Sequence, residues 1–152
     1  MCTSVILYRK DQTWPLIIGS NRDERLNRKS KFPGRHWKNI YPDIIGGLDE
    51  EKKGTWFAVN DNGLLSIIHN RALKEDNKRI KKSRGQIILE LLNLDSIEDA
   101  IDYLQNLNQE SYNGFNIIIG DRQHCFWGKH VSTSKQIEIK EVPEGLSILT
   151  DK

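Results

Sequence analysis

The feature that most constrains the fold is a hairpin signal in the segment GTWFAVNDNGLLSIIHN. Two short apolar runs, residues 55–59 and 64–69, flank the polar tetrapeptide NDNG. Asn-Gly pairs tolerate the positive φ angles that a tight turn between antiparallel strands requires. The segment therefore predicts two paired strands, and a fold for this chain must contain an antiparallel sheet.

Further β-branched and apolar runs predict six more strands, at residues 3–9, 15–20, 115–121, 124–129 and 135–142 and from residue 145 onward. The first two of these are joined by a short polar turn and predict a second antiparallel hairpin. Residues 21–47 are polar and rich in Pro and Gly, which predicts an irregular excursion.

Two amphipathic helices are predicted between the strand groups. The first carries an apolar stripe at helical spacing, formed by Ile87, Ile88, Leu91 and Leu92. The second begins after Asp95 or Ser96, either of which can cap it, and its stripe is Ile97, Ala100, Ile101 and Leu104. Strands, then helices, then strands predict an α+β fold with both helices on one face of a largely antiparallel sheet.

Chain length and net charge limit the number of domains and the kinds of binding partner to expect. The 152 residues fit a single domain, and 23 basic against 21 acidic residues leave a net charge of only +2. This balance gives no reason to expect nucleic acid or a membrane surface as a partner. The two basic runs, residues 29–31 and 78–84, are interpreted as solvated loops.

The sequence shows no motif for membrane insertion, secretion or metal binding. No segment approaches the roughly 20 apolar residues of a membrane-spanning helix, and the first residues do not resemble a secretory signal. Two cysteines do not make a disulfide framework, so we expect a reducing, cytoplasmic location. The four histidines are scattered, and neither a metal site nor a cofactor is predicted.

Cys2, at the second position, has two interpretations. It is a small apolar residue at the start of the first strand, or it becomes a nucleophile once Met1 is removed. In the second case its own α-amine is the base, because a thiol of pKa about 8.5 and an amine of pKa about 7.7 to 8.0 exchange a proton near neutral pH.

Hairpin geometry bears on this choice. In an antiparallel hairpin the end of the second strand lies beside the start of the first, so Asn21, Arg22 and Asp23 are expected near Cys2. Asp23 would hold the α-ammonium group, while Asn21 or Arg22 would contact a substrate oxygen. A solvated ion-pair cluster is the alternative for these residues.

Asn70 ends the later hairpin, where its amide could donate to an oxyanion. Taken alone, Asn70 is better explained as a turn residue that hydrogen-bonds to its own backbone. His69 should point to the opposite face of the strand and fill a structural role. Cys125 lies within a predicted strand and is expected in the core.

Five segments together resemble the NRDE family of transport and Golgi organisation proteins. They are MCT at the start, GSNRDER, GGLDEEKKGTWFAVNDNGLLSIIHNR, SRGQI and YNGFNIIIGD. They occur in the family's order and span nearly the whole chain, residues 1–152, as one NRDE domain. The resemblance implies a branch of the N-terminal nucleophile hydrolases, with a four-layer αββα sandwich.

The resemblance also implies an activity. Cysteine members of that superfamily cleave non-peptide C–N amide bonds, and their site residues carry over as Cys2, Asp23 and Asn70. Two positions depart from the acylase pattern, because Ser20 stands where acylases carry arginine and Asp151 where they carry asparagine. Family members usually run longer, so three alternatives stay open: a fragment, a shortened relative, or an assembly in which a homo-oligomer or a second chain completes the sandwich.

A non-catalytic alternative remains open at this point. Family members are linked to haem trafficking, so the chain could carry haem or another hydrophobic small molecule, with His69 or Cys125 as axial ligand candidates. Four tryptophans could line an acyl pocket or simply fill the core: Trp14, Trp37, Trp56 and Trp127.

Overall fold

The computed structural model describes residues 2–71, 81–131, 134 and 136–150. Its strands are β1 (Thr3–Tyr8), β2 (Leu16–Asn21), β3 (Ser30–Gly34), β4 (Ile44–Asp49), β5 (Phe57–Asn60), β6 (Leu65–Asn70), β7 (Phe115–Gly120), β8 (Cys125–His130), β9 (Glu138–Glu141) and β10 (Gly145–Thr150). The helices α1 (Gly85–Leu92) and α2 (Ile97–Gln105) lie between β6 and β7, followed by a 3₁₀ turn at Gln109–Ser111.

The strands form two antiparallel sheets. A small sheet has the order β10-β1-β2, and a large sheet of seven strands runs from β3 to β9 in chain order. Each strand of the large sheet therefore pairs with its neighbour in sequence, as in a meander. In the small sheet, β1 lies in the centre and pairs with β2, the next strand in the chain, and with β10, the last described strand.

The layers follow from the alternation of side chains along the strands. Ile117 and Ile119 of β7 point to one face, where the apolar stripes of both helices cover them. Ile118 points to the other face and joins Ile6 and Tyr8 of β1 in a second core between the sheets. In the described residues the order of layers is thus helices, large sheet, small sheet.

Most sequence-predicted elements are confirmed. Both hairpins form, and Gly63 in the turn of the later one has a φ of +88°. Ser96, one of the two proposed caps, accepts a hydrogen bond at 3.1 Å from the backbone N–H of Asp99 at the start of α2. Both helices pack on one face, as the α+β prediction requires.

The prediction of an irregular excursion over residues 21–47 is wrong. This stretch contains β3 and the first half of β4. Strand β3 is an exposed edge, so it lacks an apolar pattern, and its pairing shifts register between Lys31 and Gly34. Gly46 of β4 suggested a loop, yet a Cβ there would lie 2.6 Å from the Cβ of Ala58 on β5. Glycine at this position permits close strand packing rather than a turn.

No helix in the described ranges has the length and apolar character needed to cross a membrane. The two α-helices have eight and nine residues.

Candidate active site

A cavity of about 220 Å³ opens where the two sheets meet the start of α1. The five residues predicted from the sequence all line it: Cys2, Asn21, Arg22, Asp23 and Asn70. Strand pairing explains the gathering, because Thr3 of β1 lies opposite Asn21 of β2. The end of β2 therefore lies beside Cys2, and β6 of the facing sheet brings Asn70 to the same cavity.

Cys2 is half-buried, and its thiol is not in a disulfide. Its Sγ lies 3.8 Å from the backbone oxygen of Asp23, within reach of a weak S–H hydrogen bond. The Cys2 sulfur therefore lies beside Asp23, one of the residues that hairpin geometry predicts to lie near it. Met1, whose removal would free the α-amine, lies outside the described residues.

Asn21 connects the start of β1 to the Asp23 carboxylate. Its Oδ1 accepts a hydrogen bond from the Thr3 N–H at 2.9 Å, and its Nδ2 donates to Oδ1 of Asp23 at 3.2 Å. Both ends of the amide are thereby engaged with protein groups. Asn21 therefore holds the Asp23 carboxylate at the start of β1, and its predicted contact with substrate stays a prediction.

Arg22 belongs to an ion-pair network along one wall. Its guanidinium lies 4.3 Å from the centre of the Trp56 ring, and its Nη2 is 3.2 Å from Glu24. Glu24 also lies 3.4 Å from Nη1 of Arg28, whose Nη2 is 2.6 Å from Asp49. The sequence analysis left a solvated ion-pair cluster open as an alternative for these residues. The structure has an ion-pair network here, but it is partly buried and lies on the cavity wall.

The electrostatics of this network are set by opposing effects on Asp49. Burial alone would raise its pKa, but the Arg28 guanidinium and the backbone N–H groups of Lys52 and Glu51 outweigh burial and hold the pKa below its ordinary value. The pKa of Arg28 is raised in turn, chiefly by its hydrogen bond to Asp49. Both groups are thus charged at neutral pH.

Asn70 and His69 point to opposite faces of β6, as predicted. Asn70 is exposed at the cavity. His69 is only 3% exposed, with its Nε2 3.0 Å from Oγ of Ser4 and 3.5 Å from Oγ of Ser20. His69 therefore joins the two sheets, as its expected structural role requires, and it also forms part of the cavity wall.

The other sequence candidates divide clearly. Cys125 is fully buried between the sheets, and burial raises its pKa to about 12, so it is a core residue as predicted. Among the tryptophans, Trp56 lines the cavity, while Trp14 is 71% exposed. Asp151, which stands at an acylase asparagine position, lies outside the described residues. The described residues contain no cluster of side chains suited to a metal ion.

Sequence reasoning missed Arg84. The run 78–84 was interpreted as a solvated loop, and residues 78–80 lie outside the described part of the chain. Arg84, however, is half-buried, lines the cavity and donates from Nη1 to the backbone oxygen of Gly114 at 2.8 Å. Its place in the family-like segment SRGQI was the available signal.

Comparison with known proteins identifies the family. The family model for Transport and Golgi organisation 2 matches residues 1–150. The chain belongs to the Transport and Golgi organisation 2 family. This confirms the resemblance to NRDE proteins noted from the sequence motifs.

Curated relatives in this family come from mammals. The Transport and Golgi organization 2 homolog of Mus musculus is 38% identical over 111 residues, which is 70% of this chain and 38% of that protein. The homolog from Bos taurus is 33% identical over the same shares of the two chains. The match thus spans well under half the length of these relatives.

Solved structures show the fold of this chain. The Caenorhabditis elegans ortholog of N-acylethanolamine-hydrolyzing acid amidase superposes with a TM-score of 0.75 at 13% identity, covering 99% of this chain and 70% of that one. A mutant of the conjugated bile acid hydrolase from Clostridium perfringens gives 0.60 at 17% identity, covering 96% and 52%. The predicted N-terminal nucleophile hydrolase fold is confirmed.

Proposed function

We propose that the chain is an N-terminal cysteine amidohydrolase that cleaves a non-peptide C–N bond in an N-acyl amide. The observation that carries this proposal is the shared cavity of Cys2, Asp23 and Asn70. The fold adds support, since an amidase and a bile acid hydrolase are built on it. A nucleophilic thiol must stay reduced, so the proposal includes a reducing compartment such as the cytoplasm.

In the first half of the reaction, Met1 has been removed and the α-amine of Cys2 takes the proton of its own thiol. The thiolate attacks the amide carbonyl carbon, and the oxyanion accepts hydrogen bonds from the Asn70 amide and a backbone N–H. Asp23 orients the α-ammonium group. The ammonium then gives its proton to the departing nitrogen, the C–N bond breaks, and a thioester on Cys2 remains.

In the second half, water replaces the released amine. The α-amine of Cys2 removes a proton from the water, the hydroxide attacks the thioester carbonyl, and Asn70 again donates to the oxyanion. The C–S bond breaks, and the thiolate recovers the proton from the α-ammonium group. The products are a carboxylic acid and an amine, and the enzyme returns to its starting state.

The test is hydrolysis of a panel of N-acyl amides by wild type, Cys2→Ala and Cys125→Ala, with intact-mass analysis of each protein. We expect Met1 to be absent, Cys2→Ala to lose all hydrolysis, and Cys125→Ala to retain it in the folded fraction. Acid quenching should trap an acyl adduct on the Cys2 peptide. Active protein that retains Met1, or equal turnover by Cys2→Ala, would contradict the proposal.

A second cavity supports carriage of a hydrophobic small molecule as another candidate function. It measures about 320 Å³, and its wall includes Ile6, Trp127, Val142 and Leu149. Among the residues that the structure describes, its lining includes no His, Cys, Met or Tyr, so these residues offer haem none of the usual axial ligands. The site therefore fits an apolar ligand better than haem.

Fluorescence titration with a long-chain fatty acid tests this candidate. Trp127 should report binding, and Trp127→Phe should lose the signal while retaining binding measured by calorimetry. The control ligand is haem, for which the Soret band should be the same in wild type and His69→Ala. A Soret shift that His69→Ala abolishes would instead support haem carriage.

A further inference from the structure

The charges that line the cavity around Cys2 are unequal. Three acidic side chains, Asp23, Glu24 and Asp49, face five basic ones, Arg22, Lys52, Lys81, Lys82 and Arg84. The cavity therefore carries an excess of positive charge, although the whole chain is nearly neutral. An excess of one sign in a confined cleft favours ligands of the opposite sign.

The acidic residues do not cancel this excess, because protein groups already hold them. Glu24 lies 3.2 Å from Arg22 and 3.4 Å from Arg28. Asp49 lies 2.6 Å from Arg28, a residue outside the cavity lining. The network thereby neutralises Arg22 and leaves Arg84 as the arginine of the cavity without a carboxylate partner among the described residues.

Arg84 is held in place, but no carboxylate of the described residues neutralises it. Its hydrogen bond to the Gly114 carbonyl at 2.8 Å fixes one edge of the guanidinium. Arg84 immediately precedes α1, whose first turn contains no acidic residue. A guanidinium presents five N–H donors in a planar fork, so a single carbonyl leaves most of its donors for another acceptor.

The electrostatic surroundings of Arg84 favour an anionic partner. Burial lowers the pKa of Arg84, and the charge of Arg28 lowers it further. Glu24 and a Cys2 thiolate act in the opposite direction, so Arg84 and Cys2 are near enough to affect each other. A partly buried cation in this situation gains most from an anionic group that enters the cavity.

We propose that Arg84 is the specificity-determining residue of the cavity and that it binds a carboxylate on the substrate. The substrate class is then an anionic N-acyl amide, such as an N-acyl amino acid, whose scissile carbonyl reaches Cys2 while its carboxylate pairs with Arg84. This inference rests on the proposed hydrolase function and names its substrate class. Neutral amides with the same acyl chain are poorer substrates.

The first experiment compares an N-acyl glycine with the N-acyl ethanolamide of the same chain length. Arg84→Gln should lower kcat/KM for the glycine conjugate about 10- to 100-fold, as expected for loss of a charge-assisted pair. It should change kcat/KM for the neutral ethanolamide less than about threefold. Arg25→Gln is the matched control, because Arg25 is exposed and outside the cavity lining. Equal losses on both substrates would overturn the inference.

The second experiment does not depend on hydrolysis. Cys2 is alkylated with iodoacetate, which is anionic, and with iodoacetamide, which is neutral and nearly the same size. The ratio of the two rates should fall about 10-fold in Arg84→Gln and stay constant in Arg25→Gln. A change in thiolate content alone would slow both reagents equally and leave the ratio unchanged. Buried Cys125 should remain unmodified.

Two outcomes are thereby separated. A lower alkylation ratio without any Cys2-dependent hydrolysis would reject the hydrolase and keep the anion site. Hydrolysis that depends on Cys2, with a ratio insensitive to residue 84, would reject the anion site alone. If Arg84→Gln fails to fold, wild type in about 0.5 M salt replaces it, because screening should lower the iodoacetate preference. A salt-independent ratio would overturn the inference.

Discussion

The two sheets differ in how completely they are covered. The large sheet has helices on one face and the small sheet on the other, and its strand β7 is buried at all six positions. The small sheet has one buried face, formed around Ile6 and Tyr8. On its other face the apolar side chains of Val5, Ile17, Leu146 and Ile148 are exposed.

This difference shows where the stability and the reactivity of the molecule lie. The large sheet and its helices form a complete core, so they should account for most of the free energy of unfolding. The candidate site needs both sheets, because Cys2 immediately precedes β1 and Asn21 ends β2 of the small sheet, while Asn70 ends β6 of the large one. Contacts across the junction, such as Ser4 with His69, should therefore affect reactivity more than stability.

The largest expected effect is on the large sheet. Ile117→Ala removes a fully buried side chain between β7 and the helices and should lower the free energy of unfolding by about 3 kcal/mol. Ile148→Ala, on the exposed face of the small sheet, should cost at most about 1 kcal/mol, mainly through strand propensity. Urea unfolding measures both. Equal losses would mean that the sheets do not differ as described.

The next effect separates reactivity from stability. Ser4→Ala removes the 3.0 Å contact between Ser4 and His69 and the 2.9 Å hydrogen bond that Ser4 donates to Ser20. Ser66→Ala removes the hydrogen bond that Ser66 donates to the Ile118 carbonyl within the large sheet. Each variant should cost about 1 to 2 kcal/mol in urea unfolding, because each loses buried or partly buried hydrogen bonds. Only Ser4→Ala should also change the rate at which iodoacetamide modifies Cys2. The same rate change in Ser66→Ala would argue against a role of the junction.

A smaller effect depends on pH. Because the folded pKa of Asp49 is below its ordinary value, its pairing with Arg28 stabilises the fold above about pH 4, and this is lost as pH falls through the folded pKa. The free energy of unfolding of Asp49→Asn should be about 1 kcal/mol lower than that of wild type at pH 7, and this difference should shrink below about pH 4.

The control for this prediction is Asp61→Asn. The pair of Asp61 with Arg35 at 2.6 Å is exposed and links parts of the large sheet only. Exposed ion pairs contribute little to the free energy of unfolding, so the difference between wild type and Asp61→Asn should be smaller than that for Asp49→Asn at neutral pH. Urea unfolding across the acid range measures both variants. A constant gap for Asp49→Asn would contradict the pairing of Asp49 with Arg28.

Much of the fold was predictable because local pattern and tertiary structure agree. The β-branched runs became strands, the helical stripes became buried, and antiparallel pairing alone placed residues 21–23 beside Cys2. The strands β3 and β4 were missed, since an exposed edge has no apolar alternation and glycine also signals turns. Local composition does not show that Gly46 is needed for contact with Ala58.

The sequence predicts which residues gather at the candidate site, but it does not predict the positive charge that Arg84 adds there. The positions of Cys2, Asp23 and Asn70 follow from strand ends, which sequence patterns locate well. The role of Arg84 depends on the carbonyl of Gly114, 30 residues away, and on which acidic groups other arginines have already paired with. Such long-range pairing leaves no periodic signal, so a basic run appears solvated in the sequence.

The smallest expected effect concerns the exposed face itself. Leu146 and Leu149 lie on the same strand, β10, but Leu146 is 70% exposed while Leu149 is partly buried against the core between the sheets. Leu146→Ser should change the free energy of unfolding by less than about 0.5 kcal/mol and reduce the binding of an apolar dye such as ANS. Leu149→Ser should cost about 2 kcal/mol, because it replaces an apolar side chain that packs against the core with a hydroxyl. Equal costs in urea unfolding would show that both faces of the small sheet are covered in solution, and the contrast between the two sheets would then be lost.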